Sequence, residues 1–229
     1  MAARRIVLAD PAPCAAELLA AAAEVGSQIA LTGGSTPRRA YELAAEAGSD
    51  WSRATLWWGD ERCVGPEDER SNFRLAREAL LERLPGPGPA IRRIEGELGP
   101  VRGAEAYEGA LRDTFGAGLP RLDLVLLGLG PDAHCASLFP GAPALDERAR
   151  AVVGVERAGL APWVARVSLT VSALAAAGEV VFLVTGADKA RAVSRAFDEP
   201  LSGAAPASLV AAEAASVTVL LDPEAAGTA

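Results

Sequence analysis

The chain has 229 residues, half of them hydrophobic, with 22 Lys+Arg against 30 Asp+Glu and a formal net charge of −8. That much apolar residue supports a substantial core, and an acidic chain without a basic run is a poor nucleic-acid binder, since phosphate neutralisation dominates such affinity. No apolar run approaches the roughly 18 residues that span a bilayer, so no membrane partner is expected.

The start, MAARRIVLADPAPC, lacks a long apolar stretch or a small-residue cleavage site and reads as a first strand, not a leader, which predicts a cytoplasmic protein. After the strand RIVLA, PCAAELLAAAAEV is rich in the strongest helix former. QIALT is a second strand. PRRAYELAAEAG then carries Pro37 in its first helical turn, where a missing N–H costs nothing. ATLWWG is a third strand. SNFRLAREALLERL is helical, with Phe73, Ala76, Leu80 and Leu84 on one stripe and Ser71 as N-cap. The Pro/Gly stretch LPGPGPAIRR reads as a helix-to-strand connection. Ala104, Tyr107, Leu111 and Phe115 form the stripe of the next helix. LDLVLLG, ARVSLT, EVVFLVTG and SVTVLLD are further strands, and GADKARAVSRAF a further helix.

Continuous apolar strands such as LDLVLLG imply burial on both faces. The expected architecture is a single α/β domain over residues 1–229, a doubly wound, mainly parallel, Rossmann-like sheet with helices on both faces. Residues 225–229 are expected to be a disordered tail. In such folds the ligand lies at the carboxyl ends of the strands.

Four groups of polar residues follow predicted strands. In LTGGSTPRRAY, Gly33 and Gly34 allow close backbone approach, Ser35 and Thr36 offer hydroxyls, and a helix N-terminus begins at Pro37. A tight turn with an N-cap is the plainer account, but the strand–loop–helix context and the Arg38–Arg39 pair favour a phosphate site. Ser35 is not an esterase nucleophile, because Gly33-Gly34-Ser35-Thr36-Pro37 fails G-x-S-x-G, as does every other serine.

WWGDERCV is the second group. Asp60 can position a water or a sugar hydroxyl, and Arg62 can take a phosphate or a developing oxyanion, whereas Glu67-Asp68-Glu69-Arg70 reads as a solvated cluster.

GLGPDAHCASLFP is the third, and holds His134, the only histidine. Its start matches G-x-G-x-x-A, a dinucleotide-binding fingerprint, and Glu156 stands near the required acidic position. The fingerprint needs a long helix, however, and Pro140, Gly141 and Pro143 forbid one. Asp132 and His134 are therefore read as a carboxylate beside an imidazole able to act as a base near neutral pH. With one histidine and no cysteine cluster among Cys14, Cys63 and Cys135, no metal site is expected. Arg166 in ARVSLT and Lys189 in GADKA complete the set as single cations near strand ends.

Together LTGGSTP, WWGDERCV with the following SN, GLGPDAHCASLFPG, RVSLT and FLVTGADKA resemble the 6-phosphogluconolactonases, in order and approximate spacing, from Arg4 to Asp222. The resemblance implies hydrolysis of 6-phosphoglucono-1,5-lactone in the oxidative pentose phosphate pathway, without metal or coenzyme, by a monomer or small homo-oligomer. It implies His134 as general base with Asp132 beside it, and Ser35, Thr36, Arg166 and Lys189 on the phosphate. Arg62 would lie near the phosphate or the lactone carbonyl. Two rivals share features: a glucosamine-6-phosphate deaminase or isomerase, which typically has an N-M-D-E-Y type stretch in place of GDER, and a non-catalytic sugar-phosphate sensor, which would not need His134. Ala133 stands where the family usually has glycine, so a left-handed backbone there would cost roughly 1–2 kcal/mol. Cys63 and Cys135, next to Arg62 and His134, suggest a site sensitive to thiol oxidation.

Overall fold

The computed structural model describes residues 3–228. Seven strands form one sheet in the order β1-β10-β9-β6-β2-β3-β5, with every neighbouring pair parallel. They are β1 (Arg4–Val7), β2 (Gln28–Leu31), β3 (Thr55–Trp58), β5 (Ala90–Ile91), β6 (Leu124–Leu127), β9 (Glu179–Val184) and β10 (Val217–Leu221). The helices are α1 (Ala12–Glu24), α2 (Pro37–Glu46), α3 (Asn72–Ala79), α4 (Pro100–Phe115), α5 (Val171–Ala175), α6 (Ala190–Phe197) and α7 (Pro206–Glu213).

All four residues of β6 and all five of β10 are buried. Successive side chains of a strand point to opposite faces, so both faces of the sheet are covered, which is why LDLVLLG is apolar throughout. The strand order reverses between β2 and β6, which lie side by side at the centre. A crevice opens outside their carboxyl ends, as doubly wound sheets require.

Two expectations need correction. Asp60–Arg62, read as loop, is a strand, β4, and ARVSLT does not join the main sheet. Its Arg166–Leu169 forms β8, which pairs antiparallel with β4 and with β7 (Val152–Val155) in a separate three-stranded sheet. The exchange occurs at Gly59: its N–H donates to Leu31 of the main sheet at 2.9 Å, and its carbonyl accepts from Leu169 of the small one at 2.8 Å. β4 is wholly charged, and β8 alternates Arg166 and Ser168 with Val167 and Leu169, so neither shows an apolar run.

The helix after Ser71 also ends sooner than its pattern suggests. Leu80 leaves helical geometry and a single 3-10 turn, Leu81–Arg83, follows. Leu84 is extended, as a residue before proline tends to be. At the far end, Ala225 of the expected tail is buried and its N–H donates to Asp222 Oδ1 at 2.7 Å; Ala229 lies outside the described residues.

Candidate active site

A cavity of about 220 Å³ lies at the carboxyl ends of β2, β6 and β9, walled on one side by the small sheet. Gly33, Gly34, Ser35, Thr36, Asp60, Arg62, His134, Arg166 and Lys189 all line it. Of the residues assigned to catalysis or phosphate binding, Asp132 alone is not part of the wall; it stands behind the imidazole, and the Arg38–Arg39 pair also lies outside the wall, on Glu78 and Asp10.

The two glycines after β2 serve different needs. A Cβ on Gly33 would lie 1.8 Å from Asn72 Oδ1, so the loop rests directly on α3, while Gly34 has φ +95°, open only to glycine at no cost. Tyr41, from α2, fixes the loop's entry: its hydroxyl accepts from Thr32 N–H at 2.9 Å and donates to Thr32 O at 2.7 Å. Neither Thr36 nor any other side chain caps α2. Its first-turn N–H groups thus have neither an intrahelical acceptor nor a side-chain cap, and the helix begins at Pro37, in the cavity wall with Ser35 and Thr36.

β4 is held by unusual burial of charge. Glu61, 3 % exposed, accepts from Arg62 N–H, Ser71 Oγ, Asn72 N–H and Phe73 N–H at 2.7–2.9 Å. It thus caps α3 with a carboxylate, favourable at a helix N-terminus. Burial pushes its carboxyl up, against those hydrogen bonds. Asp60, 5 % exposed, has both oxygens engaged: Oδ2 accepts from Ser137 Oγ at 2.5 Å and Oδ1 from Asn72 Nδ2 at 3.2 Å. A carboxylate so committed ties the GDER strand to the histidine loop.

Arg62 and Arg166 are direct cross-strand partners of β4 and β8. Arg62 Nη1 donates to Arg70 O at 2.6 Å, and its Nε is buried without a partner. Arg166, 4 % exposed, donates from Nη2 to Pro162 O at 2.9 Å and from Nε to Val164 O at 3.2 Å. Burial pulls its pKa down, with the charge of Asp60 opposing and that of Arg62 adding to the fall. Arg166 therefore braces the 160–164 segment as well as lining the cavity, to which Leu160 and Ala161 add an apolar edge. Lys189 also lines the wall, its Nζ 3.4 Å from Asp188 Oδ2.

The loop after β6 contains no α-helix before α5, so it has none of the structure a dinucleotide fingerprint needs. It is instead a turn that closes on itself: Gly130 N–H donates to His134 O and Ala133 N–H to Gly130 O, each at 2.9 Å. His134 Nδ1 lies 2.5 Å from Asp132 Oδ1, and the ring packs against Phe139 with centroids 4.6 Å apart. Burial would raise the Asp132 carboxyl, but the hydrogen bond and charge of His134 outweigh it and hold the group below its usual range. Ala133 has φ +66° and Ala136 φ +48°, so the left-handed backbone considered from sequence is present and is borne by alanine.

Asn72 and Ser137 entered the sequence reading only as letters in longer stretches, and Glu61 had no role; their burial is created by packing between distant segments. The oxidation idea loses its chemistry here. Cys135 is fully buried and burial drives its thiol far up, and Cys63 is pushed up to about 11, so neither offers a thiolate near neutral pH. Among the described residues no three His, Cys, Asp or Glu side chains gather as metal ligands, and no helix is long and apolar enough to cross a membrane.

Comparison with known proteins places the chain in a family. The chain is 40 % identical over 200 residues to a 6-phosphogluconolactonase of Streptomyces coelicolor, covering 81 % of this chain and 74 % of that one. It is 38 % identical over 219 residues to a 6-phosphogluconolactonase of Mycobacterium leprae, covering 90 % and 87 %. The solved 6-phosphogluconolactonase of Trypanosoma cruzi superposes with a TM-score of 0.83 at 28 % identity, over 99 % of this chain and 97 % of that one. A monomeric glucosamine-6-phosphate deaminase superposes with a TM-score of 0.84 over the full length of both chains at 19 % identity, a likeness of fold. The family model described as glucosamine-6-phosphate isomerases/6-phosphogluconolactonase matches residues 9–219, and the chain belongs to that family.

Proposed function

We propose that this protein hydrolyses 6-phospho-D-glucono-1,5-lactone to 6-phospho-D-gluconate, the lactonase step of the oxidative pentose phosphate pathway, in the cytoplasm. The observation that carries the reading is the His134–Asp132 pair, with Nδ1 and Oδ1 2.5 Å apart at the edge of a cationic cavity. Relatives named as 6-phosphogluconolactonases at 38–40 % identity support the choice of substrate.

With Nδ1 donating to Asp132, Nε2 is left as the acceptor, the tautomer a general base needs. Water attacks the lactone C1 as its proton passes to Nε2, and Asp132 steadies the imidazolium. The carbonyl oxygen becomes an oxyanion, which Arg62 can stabilise as a nearby cation. When the tetrahedral intermediate collapses, the C1–ring-oxygen bond breaks and that oxygen takes the proton from Nε2. The product is the open acid and the imidazole is neutral again. A δ-lactone is already an activated ester, so no covalent nucleophile is called for.

At the other end of the substrate, the Ser35 and Thr36 hydroxyls, the α2 N-terminus and Lys189 would hold the phosphate. Arg166 has five N–H donors; those not given to Pro162 and Val164 remain for the same anion. Asp60, in the wall itself, keeps β4 and the histidine loop in register through Ser137 and Asn72.

The test offers fresh 6-phosphogluconolactone to wild type and His134→Ala and follows acid release above the spontaneous rate. Rapid hydrolysis by wild type and a loss of about 10²-fold or more in the variant are expected. Wild-type protein at the background rate defeats the lactonase reading. Equal rates would remove His134 from the reaction.

A further inference from the structure

Alanine at φ +66° is rare, and residue 133 takes that conformation at the position that aims the imidazole. Such a backbone persists only where its surroundings over-determine it. Hydrogen bonds inside the turn do part of this, but the carbonyls of residues 132 and 133 point away and are held from outside.

The Ala133 carbonyl accepts from the N–H of Ala207 at 3.1 Å. Ala207 lies in the first turn of α7, where the N–H groups lack intrahelical acceptors. The Asp132 carbonyl accepts from Arg195 Nη1 at 3.4 Å, while Nη2 of the same guanidinium donates to Ala204 O. Arg195 closes α6, and Ala204 lies just before α7. The guanidinium therefore stitches the histidine turn to the segment that launches α7, and α7 in turn grips the next carbonyl. A cation in the last turn of a helix is ordinarily explained by the helix dipole. That explanation does not require its donors to reach two carbonyls of separate loops.

We propose that Arg195 is a positioning residue for His134: by holding the Asp132 carbonyl against the start of α7, it keeps the Asp132-Ala133-His134 turn left-handed and the imidazole aimed into the cavity. The functional part of this rests on His134 being the general base proposed above. Arg195 itself is not among the residues that line the cavity.

The clamp matters because residue 133 is alanine. Glycine takes positive φ without penalty, so a turn carrying glycine would hold its shape with the clamp cut. A double-mutant cycle of Arg195→Ala and Ala133→Gly tests this through two readouts: steady-state lactonase kinetics, and the imidazole NMR resonances of His134, unambiguous because the chain has one histidine.

Arg195→Ala is expected to lower kcat at least about tenfold with KM within about twofold of wild type, and to shift the imidazole resonances. With Ala133→Gly present, the same substitution should lower kcat less than about threefold, and the resonances should return toward those of Ala133→Gly alone. Equal kcat losses in both backgrounds, or resonances unmoved by Arg195→Ala, overturn the proposal. Should Arg195→Ala not fold, Arg195→Lys, whose single ammonium cannot bridge both carbonyls in the same way, enters the identical comparison. If wild type hydrolyses no lactone, the functional reading falls alone, and the resonances still decide the clamp.

Discussion

A Cβ on Gly130 would stand 2.0 Å from Nδ1 of His134, so the imidazole occupies the volume that any other residue at 130 would fill. Gly130 does not have positive φ; the position demands space, not a glycine conformation. Gly130→Ala should therefore displace the ring and separate it from Asp132, lowering kcat on the order of 10²-fold. KM should change little, because the phosphate loop lies on another strand. Steady-state kinetics check this, and a variant with more than about half the wild-type kcat would be incompatible with the packing.

Three residues on, position 133 behaves oppositely. Ala133→Gly relieves about 1–2 kcal/mol of left-handed strain, but removes a buried methyl worth about 0.8 kcal/mol and adds unfolded-chain entropy of about 0.5–1 kcal/mol. These nearly cancel, and the expected Tm stays within about 3 °C of wild type. Ala133→Val puts a β-branched side chain where it is a genuine outlier, and should destabilise by about 2 kcal/mol or more while abolishing most activity. Thermal melts of the two variants separate conformation from size.

Asp132 gives the site a pH signature. Its folded carboxyl is held below the ordinary value of 3.8, so the stability it contributes is present above that value and is lost as pH falls through the lower, folded one. The stability gap between wild type and Asp132→Asn should shrink below about pH 4. Denaturation at several pH values measures the gap; a gap that widens on acidification contradicts the pairing. The same variant should lose about tenfold or more in kcat, since the imidazolium loses its counter-charge.

Ser137 tests the tie between β4 and the histidine loop. Ser137→Ala leaves Asp60 Oδ2 buried without its donor at 2.5 Å, which costs about 1–3 kcal/mol. The expected result is a Tm lower by roughly 2–10 °C, read in a thermal scan.

The central strands were legible because burial on both faces writes itself as an unbroken apolar run, as in LDLVLLG. The ligand-facing loops were legible too, since glycines, hydroxyls and a lone histidine after strands have few other uses. What escaped was polarity buried by distant partners. Asp60 read as a group for a water or a sugar hydroxyl and Glu61 had no role, whereas in the fold Ser137, Ser71 and the first N–H groups of α3 close on them. Hence β4 read as a loop, β8 was assigned with the main strands, and Arg166 read as a ligand for phosphate alone, without the two carbonyls of its own segment. Arg195 could not be found from sequence, because its meaning depends on where residues 132 and 204 meet.

Arg62 and Arg166 face one another across β4 and β8, with Arg166 almost fully buried. Like charges directly opposite in an antiparallel pair work against the sheet that holds them. An anion in the cavity removes that opposition, so binding and folding share one free energy. A ligand at a hundred times its Kd adds about 2.7 kcal/mol to the folded state, and inorganic phosphate in a thermal scan should raise Tm in a dose-dependent way; an invariant Tm would sever the link. A dose-dependent rise would mean that heat resistance is partly borrowed from the metabolite, so that the folded fraction follows the supply of what the protein consumes.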